Sequence, residues 1–134
     1  MLLTYLAGPF TAPTPWGIER NIRRAEEAAE DIIRARDDVA LIVPHSLGRC
    51  FVGRAGTPEY WYAATMRMME SCDAIVMLDG WHESVGSRAE FRRAHGLGLS
   101  IYGTEFDFAH RAPPLGDEAI HRIMETLADP MEPK

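Results

Sequence analysis

The sequence predicts an α/β fold: a three-layer α/β/α sandwich on a parallel sheet of four or five strands, in the order 2-1-3-4. Three observations carry that prediction. Short apolar runs alternate with longer segments of helical period. The runs are apolar throughout rather than at every second residue, as strands are when both faces of a sheet are covered. The length, 134 residues, suits one domain spanning 1–134, and right-handed crossovers then put helices on both faces.

Leu2–Ala7 is the first apolar run, and Gly8-Pro9 ends it because proline has no N–H to give a neighbouring strand. A Pro/Thr-rich loop, Thr11–Pro15, leads to a helix over Trp16–Arg36. There Ile22, Ala25, Ala28, Ala29, Ile32 and Ile33 fall at three- and four-residue spacing. Ala40–Val43 is the second strand, stopped at Pro44-His45, and glycine-rich Gly48–Thr57 reads as a loop. A helix runs from Pro58, placed as a first-turn proline, to Ser71. Ala74–Leu78 is the third and most central strand, and Asp79-Gly80-Trp81 turns the chain out of it. Gly86 or Ser87 opens a helix that ends near Gly96-Leu97-Gly98. Leu99–Tyr102 is the fourth strand, and a final helix covers Gly116–Leu127 after a loop holding Pro113-Pro114. Residues 128–134 are expected to fray.

Composition narrows the function. The chain is 46% hydrophobic with a net charge of −6, which excludes a disordered chain and disfavours nucleic-acid polymers and anionic membranes as partners. One phosphate on a helix end stays compatible with that charge. No run approaches the ~18 apolar residues of a membrane span, and Met1 to Phe10 lacks the basic lead and length of a signal peptide. Cys50 and Cys72 form neither a disulfide framework nor a metal spacing, so a reducing, cytoplasmic setting is expected. No GxGxxG, Walker lysine or HExxH occurs, and neither a cofactor nor a metal is expected. All basic residues but Lys134 are arginines, and most lie on solvated helix faces; Arg88 alone keeps a claim to the site.

In an open parallel sheet the ligand sits beyond the carboxyl ends of the strands where their order reverses. Here that places it between strands one and three, in the loops Gly8–Trp16 and Asp79–Ser87. Asp73, about 20 Å away at the other end of strand three, is a cap or turn residue. The richest segment is Ser84-Val85-Gly86-Ser87-Arg88-Ala89-Glu90. Its helix N-terminus offers free N–H groups to an anion, and Glu90 adds a carboxylate one turn inside. The competing reading is a capping box, Ser87-x-x-Glu90, in which the glutamate only satisfies a cap amide. Tyr5 lies late in strand one, Trp16 and Trp81 flank the cleft as candidates to stack a base, and His45 follows a strand end as a candidate base or structural residue.

Several pieces occur in a fixed order: Tyr5-Leu6-Ala7-Gly8-Pro9-Phe10, Val43-Pro44-His45, Trp61, Cys72-Asp73-Ala74-Ile75-Val76-Met77-Leu78-Asp79-Gly80-Trp81 and Ser84-x-Gly86-x-x-x-Glu90. Over residues 3–102 the set resembles the nucleoside 2-deoxyribosyltransferase superfamily, especially its small bacterial and phage branch, and is similar to 2-deoxynucleoside 5-phosphate N-hydrolases. The resemblance implies a flavodoxin-like domain that cleaves or transfers an N-glycosidic bond. Glu90 is then the nucleophile that forms a glycosyl-enzyme ester, with Tyr5 holding its carboxylate. Gly8, Pro9, Phe10, Trp16, Trp81, Ser84, Gly86 and Ser87 would bind substrate. Serine at position 84, where nucleoside transferases carry an acid, implies a 5′-monophosphate. Thr65 stands where the family commonly places a base-contacting aspartate, which leaves Asp79 as the acid available. The implied partner is a nucleotide or nucleoside, and the implied assembly a homo-oligomer whose neighbouring subunit completes the site. The alternative is a nucleotide-binding sensor without turnover.

Overall fold

A computed structural model describes residues 1–51 and 53–128. Four parallel strands form one sheet: β1 (Leu2–Ala7), β2 (Val39–Ile42), β3 (Ala74–Met77) and β4 (Ser100–Tyr102), in the order β2-β1-β3-β4. Tyr5 pairs with Ile42 on one side and Ile75 on the other. The helices are α1 (Pro15–Ala35), α2 (Pro44–Phe51), α3 (Pro58–Met69), α4 (Val85–Leu97), α5 (Glu105–Ala109) and α6 (Asp117–Leu127).

Strand alternation divides the core between two layers. Leu6, Val76 and Leu78 pack with Ala25, Ala28, Ala29 and Ile32 of α1 and with Phe108 of α5. Tyr5, Ile75 and Met77 point the other way, onto Met69 of α3, Phe91 and Ala94 of α4, and Leu127 of α6. Both faces of β1 and β3 are therefore covered, which is why their sequences read as unbroken apolar runs. Asp73 joins strands at their amino ends: its carboxylate accepts from Leu3 N at 2.9 Å and its carbonyl from Ser100 N at 3.2 Å.

Three elements depart from the sequence reading. Residues 44–51 are helical rather than a strand stop running into loop. Pro44 opens the helix, and Gly48 sits inside it because a Cβ there would lie 2.3 Å from the Phe10 ring. A glycine that reads as a loop signal is here a packing requirement. The short α5 is also new; Thr104 caps it by accepting from Asp107 N at 3.0 Å. Finally, α4 begins at Val85, capped by Ser84 rather than Ser87. A single 3-10 turn, Trp81–Glu83, follows Gly80, whose φ of 88° is in the left-handed region. The fraying expected for 128–134 lies outside the described residues beyond Ala128, which caps α6. No helix among the described residues is long and apolar enough to cross a membrane.

Candidate functional site

Alternation along β1 turns Tyr5 toward α3 and α4, where its ring is fully enclosed. A phenol hydroxyl in such a place needs a partner, and α4 supplies one: Tyr5 Oη donates to Glu90 Oε2 at 2.5 Å. That length belongs to charge-assisted O–H···O⁻ bonds. The Thr65 hydroxyl, from α3, lies beside the Tyr5 phenol and donates its proton to the Trp61 carbonyl at 3.0 Å, with the Tyr62 carbonyl at 3.2 Å. A β-strand and two helices thus meet at one polar point inside an apolar layer.

Burial governs the ionisation of this pair. It pushes the Glu90 carboxyl up to about 7, against the opposing pull of the Tyr5 hydrogen bond. Burial, followed by the neighbouring Glu90 charge, holds the Tyr5 phenol far above its ordinary range. Tyr5 is therefore a fixed proton donor and Glu90 the group that titrates near neutrality.

The position of the cap decides whether Glu90 belongs to a capping box. Ser84 Oγ accepts from Ser87 N at 3.2 Å and its carbonyl from Arg88 N at 2.9 Å, so Ser84 is the N-cap. Glu90 then lies well inside the helix and bonds across to β1, and the capping-box reading is excluded. Gly86 is exposed at this helix end, with only Ser84 Oγ within 4 Å of where a Cβ would stand, at 3.9 Å. Ser87 is 1% exposed, and its Oγ has no hydrogen-bond partner among the described residues. Ser84→Ala removes the cap and should cost about 1 kcal/mol in urea denaturation; an unchanged midpoint would show the cap contributes nothing.

The loop leaving β1 is clasped from two sides. Buried His45, on the first turn of α2, has Nε2 at 3.1 Å from both the Gly8 and Pro9 carbonyl oxygens, so Nε2 carries the proton. Burial disfavours its imidazolium form. Asn21 donates to the Phe10 carbonyl at 3.0 Å. From α1, Arg24 donates to the Asp79 carbonyl at 2.7 Å, while Asp79 itself is exposed on the rim. Trp16, 61% exposed at the start of α1, remains open to a ligand.

Two expectations are corrected. Trp81 does not face the cleft: it is 4% exposed, stacked on Phe91 at 4.9 Å and flanked by His82 at 3.9 Å. Stacking a base on it would require it to leave the core. Arg88 is also turned away from the site, donating to the His82 and Leu127 carbonyls, each at 3.2 Å. It tethers the end of α6, where Arg92 joins it on the Leu127 carbonyl at 2.7 Å. The contributions of Arg24 and Asn21 were missed because both look like solvated helix residues, and no local signal marks the carbonyls they reach.

A family model described as "Domain of unknown function (DUF4406)" matches residues 2–102. No curated protein matches the chain. Among solved structures, the chain is similar to a conserved protein from Enterococcus faecalis V583, with a TM-score of 0.61 and 19% identity over 96% of this chain and 76% of that one. At that identity the likeness concerns the fold, a flavodoxin-like parallel α/β arrangement.

Proposed function

The chain belongs to this family of unknown function, and we propose that it cleaves, or transfers across, the N-glycosidic bond of a nucleoside 5′-monophosphate or nucleoside. The observation that carries the reading is the 2.5 Å bond between Tyr5 and Glu90 at the carboxyl end of β1, with burial pushing the carboxyl up to about 7. A carboxylate so held is poised to attack an anomeric carbon and form an ester, splitting one hard displacement into two easier ones. Water entering second makes the protein a hydrolase, and a second base makes it a transferase. The sequence likeness to nucleoside 2-deoxyribosyltransferases supports the same chemistry.

The exposed start of α4 suits a 5′-phosphate, with Gly86 open to approach and Ser84 beside it. In this reading Gly8, Pro9 and Phe10 would form the opposite wall, Trp16, which is 61% exposed, would cover the base, and exposed Asp79 would be the carboxylate on the rim. A homo-oligomer in which a neighbour closes the open side belongs to the same reading; exposed Phe51, Tyr60 and Tyr62 are apolar surface suited to such a contact.

The test is a panel of nucleosides and their 5′-monophosphates, with free base measured by chromatography. Release is expected, and faster from a monophosphate than from its nucleoside. Equal rates would remove the phosphate assignment. A second reading, a nucleotide sensor without turnover, draws on Thr65, which brings a hydroxyl rather than an acid to the pair. Nucleotide binding with no release from any substrate would favour it.

A further inference from the structure

The turn that leaves β3 takes a conformation that a side chain of α1 selects. Trp81 N donates to the Leu78 carbonyl at 3.2 Å, closing a four-residue turn over Leu78–Trp81. Gly80 has φ 88° and ψ −1°, while Asp79 keeps a negative φ. Those values define a type II turn, which calls for glycine at its third residue. A type I turn over the same residues differs by a flip of the central peptide, here Asp79–Gly80. Arg24 decides between the two. Its Nη1 donates to the Asp79 carbonyl at 2.7 Å, a short charge-assisted bond that a flipped peptide would break.

The same bond sets where the Gly80 N–H points. The peptide is trans, and in a trans peptide the N–H and C=O are antiparallel. Its carbonyl faces α1, which covers the side of the sheet bearing Leu6, Val76 and Leu78. The N–H is therefore aimed toward the other side, where Tyr5 meets Glu90. The turn also lies against the loop leaving β1, since a Cβ on Gly80 would stand 3.7 Å from Pro9 Cγ. It thus borders the crevice where the strand order reverses. Among the described residues nothing accepts from this N–H. A guanidinium on the carbonyl polarises the amide and strengthens its N–H as a donor, most of all toward an anionic oxygen. From this geometry we infer that the Gly80 N–H binds an oxygen of the ligand's phosphate and that Arg24 is its positioning residue. The inference rests on the proposed reading of the ligand as a nucleotide, and adds the β3 turn to the start of α4 as a phosphate contact.

The probes are adenosine, guanosine, cytidine and thymidine 5′-monophosphates and the matching nucleosides, with base release followed by chromatography. Arg24→Ala is expected to raise KM for the cleaved monophosphate about tenfold, the weight of one hydrogen bond to a charged group. Its kcat should stay within about twofold and the nucleoside KM within about threefold of wild type. Arg24→Lys keeps a cationic donor for the same carbonyl and should recover most of the loss. In heteronuclear NMR of the wild type, the Gly80 amide proton should move downfield on addition of the monophosphate and stay in place with the nucleoside. An unmoved amide, an unchanged KM, or a loss equal for both kinds of substrate would overturn the inference and leave the glycosidic function standing. No release from any probe would remove the glycosidic reading, and the Gly80 amide alone would then decide the inference.

Discussion

Glu90→Gln should lower release of base by at least about 1,000-fold on whichever substrate the wild type uses, without loss of the fold. An amide keeps the size of the side chain and an oxygen to accept from Tyr5 Oη, so the contact at 2.5 Å has a substitute. It has no anionic oxygen with which to form a stable ester, so the covalent route closes. Chromatographic assay of the purified variant beside the wild type reads the outcome directly. Release near the wild-type rate would remove Glu90 as nucleophile. The same assignment fixes a pH dependence. With its carboxyl pushed up to about 7, Glu90 is mostly protonated at pH 6 and mostly ionised at pH 8. A nucleophile must be ionised, so the rate should climb through neutrality and level off above it. A general acid would give the opposite limb.

The strands were legible because burial on both sides leaves an unmistakable run, as in Ala74–Leu78, whose residues are all buried. The site was legible only up to a choice between two serines. Ser84 and Ser87 offer the same hydroxyl three residues apart, and either could cap a helix. The choice was decided by the 3-10 turn at Trp81–Glu83, which delivers Ser84 to the cap position with its N–H bonded to the Trp81 carbonyl at 3.0 Å. That register turns Glu90 from a capping group into one that crosses to Tyr5. Trp81 misled for a related reason. Its place after a strand suggested the cleft, but its stacking partner Phe91 lies ten residues on, and no local pattern announces that contact. Gly48 misled because its local preference and its tertiary role differ: the Phe10 ring, from a distant loop, is what demands a missing side chain. Only for Gly48 did the deciding contact join segments far apart in sequence; for Ser84 it was the local turn that mattered.

The Glu90 carboxyl should also make stability depend on pH in a way that Glu90→Gln abolishes. Its ordinary value is 4.5 and burial pushes it up to about 7 in the folded protein. The folded state therefore holds this proton more tightly than the unfolded chain. The stabilisation from that tighter proton is complete below about 4.5 and is lost as pH rises through about 7. Across that interval the wild type should lose up to about 3 kcal/mol relative to a side chain that does not titrate, taking 1.36 kcal/mol per unit. Glutamine does not titrate, so the variant's advantage should grow from pH 5 to pH 8 and then stay level. Urea denaturation of both proteins across that range measures the difference. Groups common to both, such as Asp38 held low by Arg36 and Glu26 held low by Arg49, cancel in the subtraction. The Tyr5 phenol, from β1, bonds Glu90, with Thr65 of α3 and Cys72 near the phenol, and burial keeps the phenol and the thiol protonated over the same interval. A difference that is flat with pH would mean that the half-buried Glu90 carboxyl is not desolvated, and the nucleophile assignment would lose its physical basis. A rising difference would show that the fold bears a cost at neutral pH to keep one carboxylate out of water. A glutamine at the same position avoids that cost, so a purely structural role gives no reason for glutamate there.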